Sequence, residues 1–275
     1  MRHEDIPVTR HNDQGPTAFE DAVCVEAPLH IHLNGEPFSI TLRTPGEDRA
    51  LVRGFLLSEG IASALSSDAV NQPAPDRIEV SIPEPFACPN QARRRLASNT
   101  SCGLCGNVTL LEPSSQVAPL AASAVTVAAS FEPGRLGPLF EQLAAEQALF
   151  QKTGGCHAAA AFDASDKLLA AAEDIGRHNA VDKVIGLLLA DASLDRAASL
   201  LVSGRVSYEI TAKCWRAGIP VLAAVSAPSS LAVSLARRLG IRLFGFCRGG
   251  KATEYPETAD TNHPFRAKKH QKKGP

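Results

Sequence analysis

The second half of the chain constrains the fold most. From Ser199 onward strand-like and helix-like segments alternate: Ser199–Ser203, Tyr208–Arg216, Ile219–Val225, Leu231–Leu239 and Ile241–Phe246. Two helices end alike, at Ala217-Gly218-Ile219 and Leu239-Gly240-Ile241. In each, glycine closes the helix and a buried strand begins at once. Short strands alternating with helices predict a layered α/β domain around a mixed, largely parallel sheet. Upstream, Leu136, Leu139, Phe140, Leu143, Gln147 and Phe150 mark one helix that stops at Gly154-Gly155. An alanine-rich strand over Cys156–Phe162 follows, then a short strand near Leu168–Ala172. A helix comes next, carrying Val181, Val184, Ile185, Leu188 and Leu189.

The first half reads differently. Residues 1–20 are polar, hold Gly15-Pro16, and are expected to be disordered. Leu29, Ile31 and Leu33 alternate with His30 and His32, Asn34-Gly35 supplies a turn, and Phe38, Ile40 and Leu42 alternate again, so a β-hairpin is predicted. Thr44-Pro45-Gly46-Glu47 has the form of a capping box with proline at the first helical position. It leads into an apolar stripe of Leu51, Val52, Phe55 and Leu56, closed by Gly60. Arg77–Ile82 reads as a further strand. The resulting division is a disordered 1–20, an N-terminal α+β part over 21–111, a linker over 112–130 rich in Ala, Ser and Pro, an α/β domain over 131–256, and a basic, disordered tail over 257–275.

With 275 residues, 44% hydrophobic and 21% charged, the chain is long enough for one large core or two smaller ones. It has no apolar run of bilayer length and no apolar leader after its polar first residues, so a cytoplasmic protein is expected, with neither membrane nor nucleic acid as partner. The last ten residues carry Arg266, Lys268, Lys269, Lys272 and Lys273 and no acid, the composition of a solvated end.

Seven cysteines are too few for a disulfide scaffold. Cys24, Cys88, Cys214 and Cys247 have no cysteine neighbour at short spacing and read as small packed hydrophobes. Cys102 and Cys105 differ. They lie in Asn99-Thr100-Ser101-Cys102-Gly103-Leu104-Cys105-Gly106-Asn107, among turn residues, each followed by glycine. That setting suits sulfur chemistry on a loop, and three readings are open: redox dithiol, half a zinc site, or sulfur relay. Zinc wants a second spaced pair of Cys or His, and apart from strand residues His30 and His32 none is present. A zinc deaminase would need an HxE motif and a proline before the first cysteine; the chain has no HxE, and Ser101 stands at that position. A thioredoxin-like pair would open a helix, which Gly106-Asn107-Val108-Thr109 does not resemble. Sulfur transfer ranks first and the other two remain open.

In an α/β sheet, ligands gather outside the carboxyl ends of the strands. The segments expected there are polar: Glu173-Asp174-Ile175-Gly176-Arg177-His178-Asn179, Ser203-Gly204-Arg205-Val206-Ser207, Ser226-Ala227-Pro228-Ser229-Ser230, and Phe246-Cys247-Arg248-Gly249-Gly250-Lys251. Helix N-termini, glycine amides, serines and arginines make an anion pocket plausible, although no P-loop or GxGxxG is present. His178 could hold Asp174 or Asp182 one turn away, or shuttle a proton. His157, beside Cys156, is a second candidate of that kind.

Taken in order, these blocks resemble the formate dehydrogenase accessory proteins, the FdhD family. The segments that carry the resemblance are Arg43-Thr44-Pro45-Gly46, Gly54-Phe55-Leu56-Leu57-Ser58-Glu59-Gly60-Ile61, Ser101–Gly106, Thr153-Gly154-Gly155-Cys156-His157, Glu173–Lys183, Ser203-Gly204-Arg205, Ser226-Ala227-Pro228 and Gly245–Gly249. The resemblance implies a three-layer domain like that of cytidine deaminases, without their zinc site, plus a smaller N-terminal α+β part. It implies a sulfur carrier, acting as a sulfurtransferase and tending to be a homodimer. Such a protein takes persulfide sulfur from a cysteine desulfurase and passes it to Mo-bis(molybdopterin guanine dinucleotide), the cofactor of the formate dehydrogenase catalytic subunit. By motif, Cys102 matches the persulfide-bearing position, Cys105 its partner, and Phe246, Cys247, Arg248, Gly249, Gly250 and Lys251 the cofactor-binding segment. Arg177, His178, Ser203, Arg205 and Arg248 are the polar groups expected at the cofactor's phosphates. A binding module whose thiols only gate cofactor loading is the alternative. Where relatives carry asparagine before a Val-Tyr pair, this chain has Thr253-Glu254-Tyr255.

Overall fold

A computed structural model of the chain describes residues 1–62, 65–83 and 118–256. Two sheets, each with its own core, face a shared layer of helices. The smaller sheet has the order β4-β3-β6-β5, from β3 (Ala27–Leu33), β4 (Glu36–Arg43), β5 (Val70–Ala74) and β6 (Arg77–Val80). The predicted alternation holds: Leu29, Ile31 and Leu33 are buried and pack with Ile78 and Val80 against Leu51, Val52 and Leu56 of α1 (Asp48–Ser58). His30 and His32 lie on the other face, half-buried, with His32 Nδ1 3.7 Å from Glu79.

The larger sheet has six strands in the order β12-β11-β10-β9-β7-β8: β7 (His157–Asp163), β8 (Leu168–Asp174), β9 (Ala197–Val202), β10 (Val221–Ala224), β11 (Arg242–Arg248) and β12 (Lys251–Glu254). Ala159, Ala161, Leu200, Val202, Leu222 and Leu243 point to one face, under α5 (Arg177–Ala190), α6 (Tyr208–Arg216) and α7 (Ser230–Leu239). Ala158, Ala160, Phe162, Leu201, Val221 and Phe244 point to the other, under α2 (Ala122–Ser130) and α3 (Leu136–Ala145). Helices thus cover both faces in three layers. The sheet is not largely parallel, however. Only β9–β10 and β10–β11 pair parallel, whereas β7–β8, β7–β9 and β11–β12 are antiparallel. The link from β7 to β8 spans residues 164–167, too short for the crossover a parallel pair needs.

Four further expectations are corrected. Residues 1–20 are not structureless: β1 (His3–Asn12) and β2 (Gly15–Cys24) form a ten-residue antiparallel ladder, paired from His3↔Cys24 to Asn12↔Gly15. Most of its side chains are exposed, so little hydrophobic periodicity marks it in the sequence. The 112–130 segment is not wholly a linker, because its end is α2, whose Ala128 enters the core. The capping box does not form: α1 starts at Asp48 after Glu47 in a left-handed conformation, and no side chain caps it. Thr44 is instead buried against the larger domain, its amide donating to Asp174 Oδ2 (3.1 Å) and its hydroxyl accepting from the Ile175 amide (3.1 Å). The single helix predicted to end at Gly154 is two, α3 and α4 (Ala148–Thr153), broken at Glu146-Gln147.

The two sheets are joined where α1 crosses α5. A β-carbon on Gly54 would sit 1.9 Å from the Asp182 carbonyl oxygen, and one on Gly186 1.8 Å from that of Ala50. Only glycine lets the two backbones approach this closely. Buried ion pairs flank the crossing. Lys183 Nζ donates to Asp174 Oδ2 and the Thr44 carbonyl, both at 2.8 Å. Lys213 Nζ donates to both Asp182 oxygens at 2.9 Å and to Ser58 Oγ at 2.7 Å. Breaking either pair from one side would strand a charge away from water, which typically costs about 3–5 kcal/mol. These contacts fix the small sheet against the large one.

Candidate functional site

The polar segments do converge on one edge of the six-stranded sheet. Because β7 runs opposite to β9, its first residue, His157, lies beside the carboxyl end of β9, and it pairs with Asp174 at the end of β8. Ser203 is stitched to the same place: its amide donates to the Ala158 carbonyl and its hydroxyl accepts from the Ala158 amide, both at 2.9 Å. The next loops are zipped together by Val206 N–H to Ala227 O (3.2 Å), Ser229 N–H to Val206 O (2.9 Å) and Phe246 N–H to Ser226 O (3.1 Å). Along the edge the order is therefore Asp174–Asn179, His157, Ser203–Ser207, Ser226–Ser230 and Phe246–Lys251.

At one end of this edge a cleft of about 250 Å³ opens between β4 and the start of α5. Ile40, Leu42, Phe55 and Ile175 give it an apolar side; His157, Arg177, His178, Asn179, Glu209 and Lys213 give it a polar one. Asn179 braces the cleft, donating from Nδ2 to the Leu42 carbonyl (2.8 Å) and to Asp174 Oδ1 (3.0 Å). His178 holds neither Asp174 nor Asp182, contrary to one sequence expectation. Those carboxylates are taken by Lys183 and Lys213, and His178 Nε2 lies 3.2 Å from Ser207 Oγ and 3.9 Å from Glu209. Burial, with the charges of Arg177 and Lys213, pushes the His178 pKa down to about 3. Burial, then Arg177 and Arg205, also lower that of His157. Both rings are neutral at physiological pH and can donate or accept a hydrogen bond without carrying charge.

At the floor, burial pushes the Asp182 carboxyl up, and Lys213 and Ser58 pull it back by donating to its two oxygens. Burial works against the Lys213 ammonium, but Asp182 and Glu59 outweigh it and hold its pKa above the ordinary value. Nothing in the sequence links Lys213 to Asp182, which sit on different helices 31 positions apart.

The other end of the edge holds Phe246–Lys251. Phe246 has φ 55° and interrupts the β11–β12 register, a bulge that turns its ring outward (43% exposed) and sends Cys247 into the far core beside Phe244. Gly249 (φ 57°) and Gly250 (φ 71°) form the two-residue turn between β11 and β12, the left-handed pair such a hairpin requires. Arg248 and Lys251 are exposed. Three strand spacings separate β7 from β11, roughly 14 Å. Thus Arg177, His178, Ser203 and Arg205 come together at one end, and Phe246–Lys251 stands apart at the other.

Cys102 and Cys105 lie outside the described residues. Of the described cysteines, Cys156, Cys214 and Cys247 are buried. Burial, with Glu173 beside it, pushes the Cys156 thiol up to about 12; burial alone raises Cys214, and it pushes Cys247 up to about 11. Cys214 and Cys247 are packed hydrophobes, as their sequence context predicts, while Cys24 is half-buried with Sγ 3.1 Å from Thr44 Oγ1.

Residues 24–261 match the model of the FdhD/NarQ family. The chain belongs to this family. It is 41% identical to the sulfur carrier protein FdhD of Streptomyces coelicolor, over 90% of this chain and 92% of that one. It is 43% identical to the sulfur carrier protein FdhD of Mycobacterium tuberculosis, over 86% and 90%. The fold matches the crystal structure of a protein from Desulfotalea psychrophila assigned as a formate dehydrogenase accessory protein, with a TM-score of 0.71 and 22% identity across 97% of this chain and 99% of that one.

Proposed function

We propose that this FdhD/NarQ family member is a sulfur carrier serving formate dehydrogenase. The observation that carries this reading is family membership: relatives matching over most of the chain at about two residues in five are named sulfur carrier protein FdhD. On this reading Cys102 receives sulfur from a cysteine desulfurase. The Cys102 thiolate attacks the outer sulfur of the donor's persulfide, the S–S bond breaks, and the donor cysteine leaves as thiolate while Cys102 carries the persulfide. The buried thiols of Cys156, Cys214 and Cys247 are poor nucleophiles, because burial disfavours their thiolates. This leaves Cys24 and Cys88 beside the CxxC pair. If the outer sulfur departs as sulfide, two electrons are required. Attack of Cys105 on the inner sulfur of Cys102 supplies them and leaves a Cys102–Cys105 disulfide.

The acceptor is the molybdenum cofactor, a guanine dinucleotide form of molybdopterin, held as cargo along the sheet edge. Phe246 offers a ring face for a base, with Arg248 and Lys251 beside it, and Arg177, His178, Ser203 and Arg205 suit phosphates at the other end. A cytoplasmic homodimer and a layering akin to that of cytidine deaminases belong to the same reading. The test is a strain lacking the native gene and carrying Cys102→Ala. Formate dehydrogenase activity is expected to be lost while the variant accumulates as folded protein. Activity equal to that with the unmodified chain would refute the proposal.

A further inference from the structure

Two cysteines far apart in the chain meet at the base of the β1–β2 hairpin. Cys24 ends β2, opposite His3, and is half-buried. Cys156 stands one residue before β7 and is buried. A disulfide needs β-carbons about 4 Å apart, and the residue next to Cys156 already comes that near: a β-carbon on Gly155 would lie 3.5 Å from that of Cys24. The two thiols are close enough that a negative charge on Cys24 opposes one on Cys156. Each has an oxygen partner. Cys24 Sγ lies 3.1 Å from Thr44 Oγ1, and Cys156 Sγ donates to Glu173 Oε1 at 3.4 Å. The amides of Leu149 and Phe150 fix Glu173 in turn, at 2.9 and 2.8 Å, so an acceptor for the Cys156 proton is held in place.

The hairpin is otherwise lightly held. A two-stranded ribbon is at best marginally stable alone in water. Beyond its own ladder, β2 rests on α4, Arg2 Nη2 donates to the Glu173 carbonyl at 3.1 Å, and His3 Nε2 meets Lys152 Nζ. Arg2 and His3 sit at the same end as Cys24, and most of the side chains beyond are exposed.

We propose that Cys24 and Cys156 form a disulfide clasp that fastens this hairpin to the larger domain. In a reducing compartment such a pair stays open and closes on oxidation. The oxidant is a low-molecular-weight disulfide. The Cys24 thiolate attacks it, one small thiolate leaves, and Cys24 carries the other half as a mixed disulfide. Cys156 then gives its proton to Glu173, attacks the Cys24 sulfur and expels the second small thiolate, which takes up a proton. Two protein thiols are oxidised, and the small disulfide is reduced to two thiols. The roles are not interchangeable, because Cys24 is open to solvent whereas burial disfavours the Cys156 thiolate. The inference is independent of the sulfur-carrier reading, since neither Cys102 nor Cys105 takes part.

Peptide mapping of the purified full chain, incubated with excess glutathione disulfide and alkylated without reduction, tests the clasp. A cross-linked pair of peptides carrying Cys24 and Cys156, separated by reductant, is expected. Cys156→Ser should stop at glutathione on Cys24, and Cys24→Ser should leave Cys156 a free thiol. Closing so long a loop should also raise the Tm of the unmodified chain by about 5 °C, a rise absent from Cys24→Ser. An unreacted Cys24, glutathione remaining on Cys24 of the unmodified chain, or Cys24 joined to Cys102 or Cys105 would overturn the clasp. So would equal Tm changes in the unmodified chain and Cys24→Ser. The mapping on the unmodified chain decides even if a variant fails to fold. Because it reads Cys102 and Cys105 separately, failure of sulfur loading at Cys102 leaves these outcomes untouched.

Discussion

His178 shows how the cleft couples charge to stability. Its folded pKa of about 3 lies below the ordinary value of 6.5, because burial and the cations around it oppose the imidazolium. Between those values the unfolded chain binds the proton and the folded chain does not. The contribution is therefore complete above pH 6.5 and lost as pH falls toward 3, with a slope of at most about 1.4 kcal/mol per pH unit. Urea unfolding at pH 7 and pH 4.5 should show the unmodified chain losing more stability on acidification than His178→Gln. Equal losses would contradict the burial of a neutral ring. At this scale the sequence is only partly legible. Arg177, His178, Ser203 and Arg205 could be picked out, since polar residues cluster where strands end. Their partners could not: the network of Lys213, Asp182, Ser58 and Glu59 draws on three helix segments that only tertiary packing brings together. Cys247 illustrates the reverse, because the bulge at Phe246 buries its side chain within a segment otherwise exposed.

Elements were legible where the local pattern matches the final environment. The strands from β7 to β11 follow from apolar runs, and the glycines that end α6 and α7 (Gly218, φ 72°; Gly240, φ 75°) from their place after each helix, whereas β12, exposed along its length, carries no such pattern. The β1–β2 hairpin leaves little trace in the sequence because it is held by a backbone ladder, with few side chains buried. The Thr44 capping box failed because its threonine has a stronger tertiary use, bridging to Asp174 and Ile175. The contact of α1 with α5 depends on missing side chains at Gly54 and Gly186. Gly54→Ala places a methyl group inside the Asp182 carbonyl and should destabilise by about 3 kcal/mol through overpacking. Urea denaturation measures this directly. A loss of under about 0.5 kcal/mol, the usual size of a neutral surface change, would show that the helices are not in backbone contact.

At the scale of the whole molecule, the small sheet and α1 form one wall of a cleft whose other wall is the edge of the large sheet. No described helix is long and apolar enough to cross a membrane. The proposed division of labour is sulfur on the CxxC segment and cargo on the sheet edge, where the glycine crossing and two buried ion pairs join the cleft's two walls. The sequence predicts the sulfur half at Cys102 and Cys105, which lie outside the described residues, and marks the cleft only as scattered polar turns. The decisive measurement is peptide mass spectrometry of the purified chain after incubation with an active cysteine desulfurase and cysteine. The account predicts one added sulfur, removable by reductant, on Cys102, and its absence in Cys102→Ala. An unmodified Cys102, with the desulfurase turning over, would contradict it.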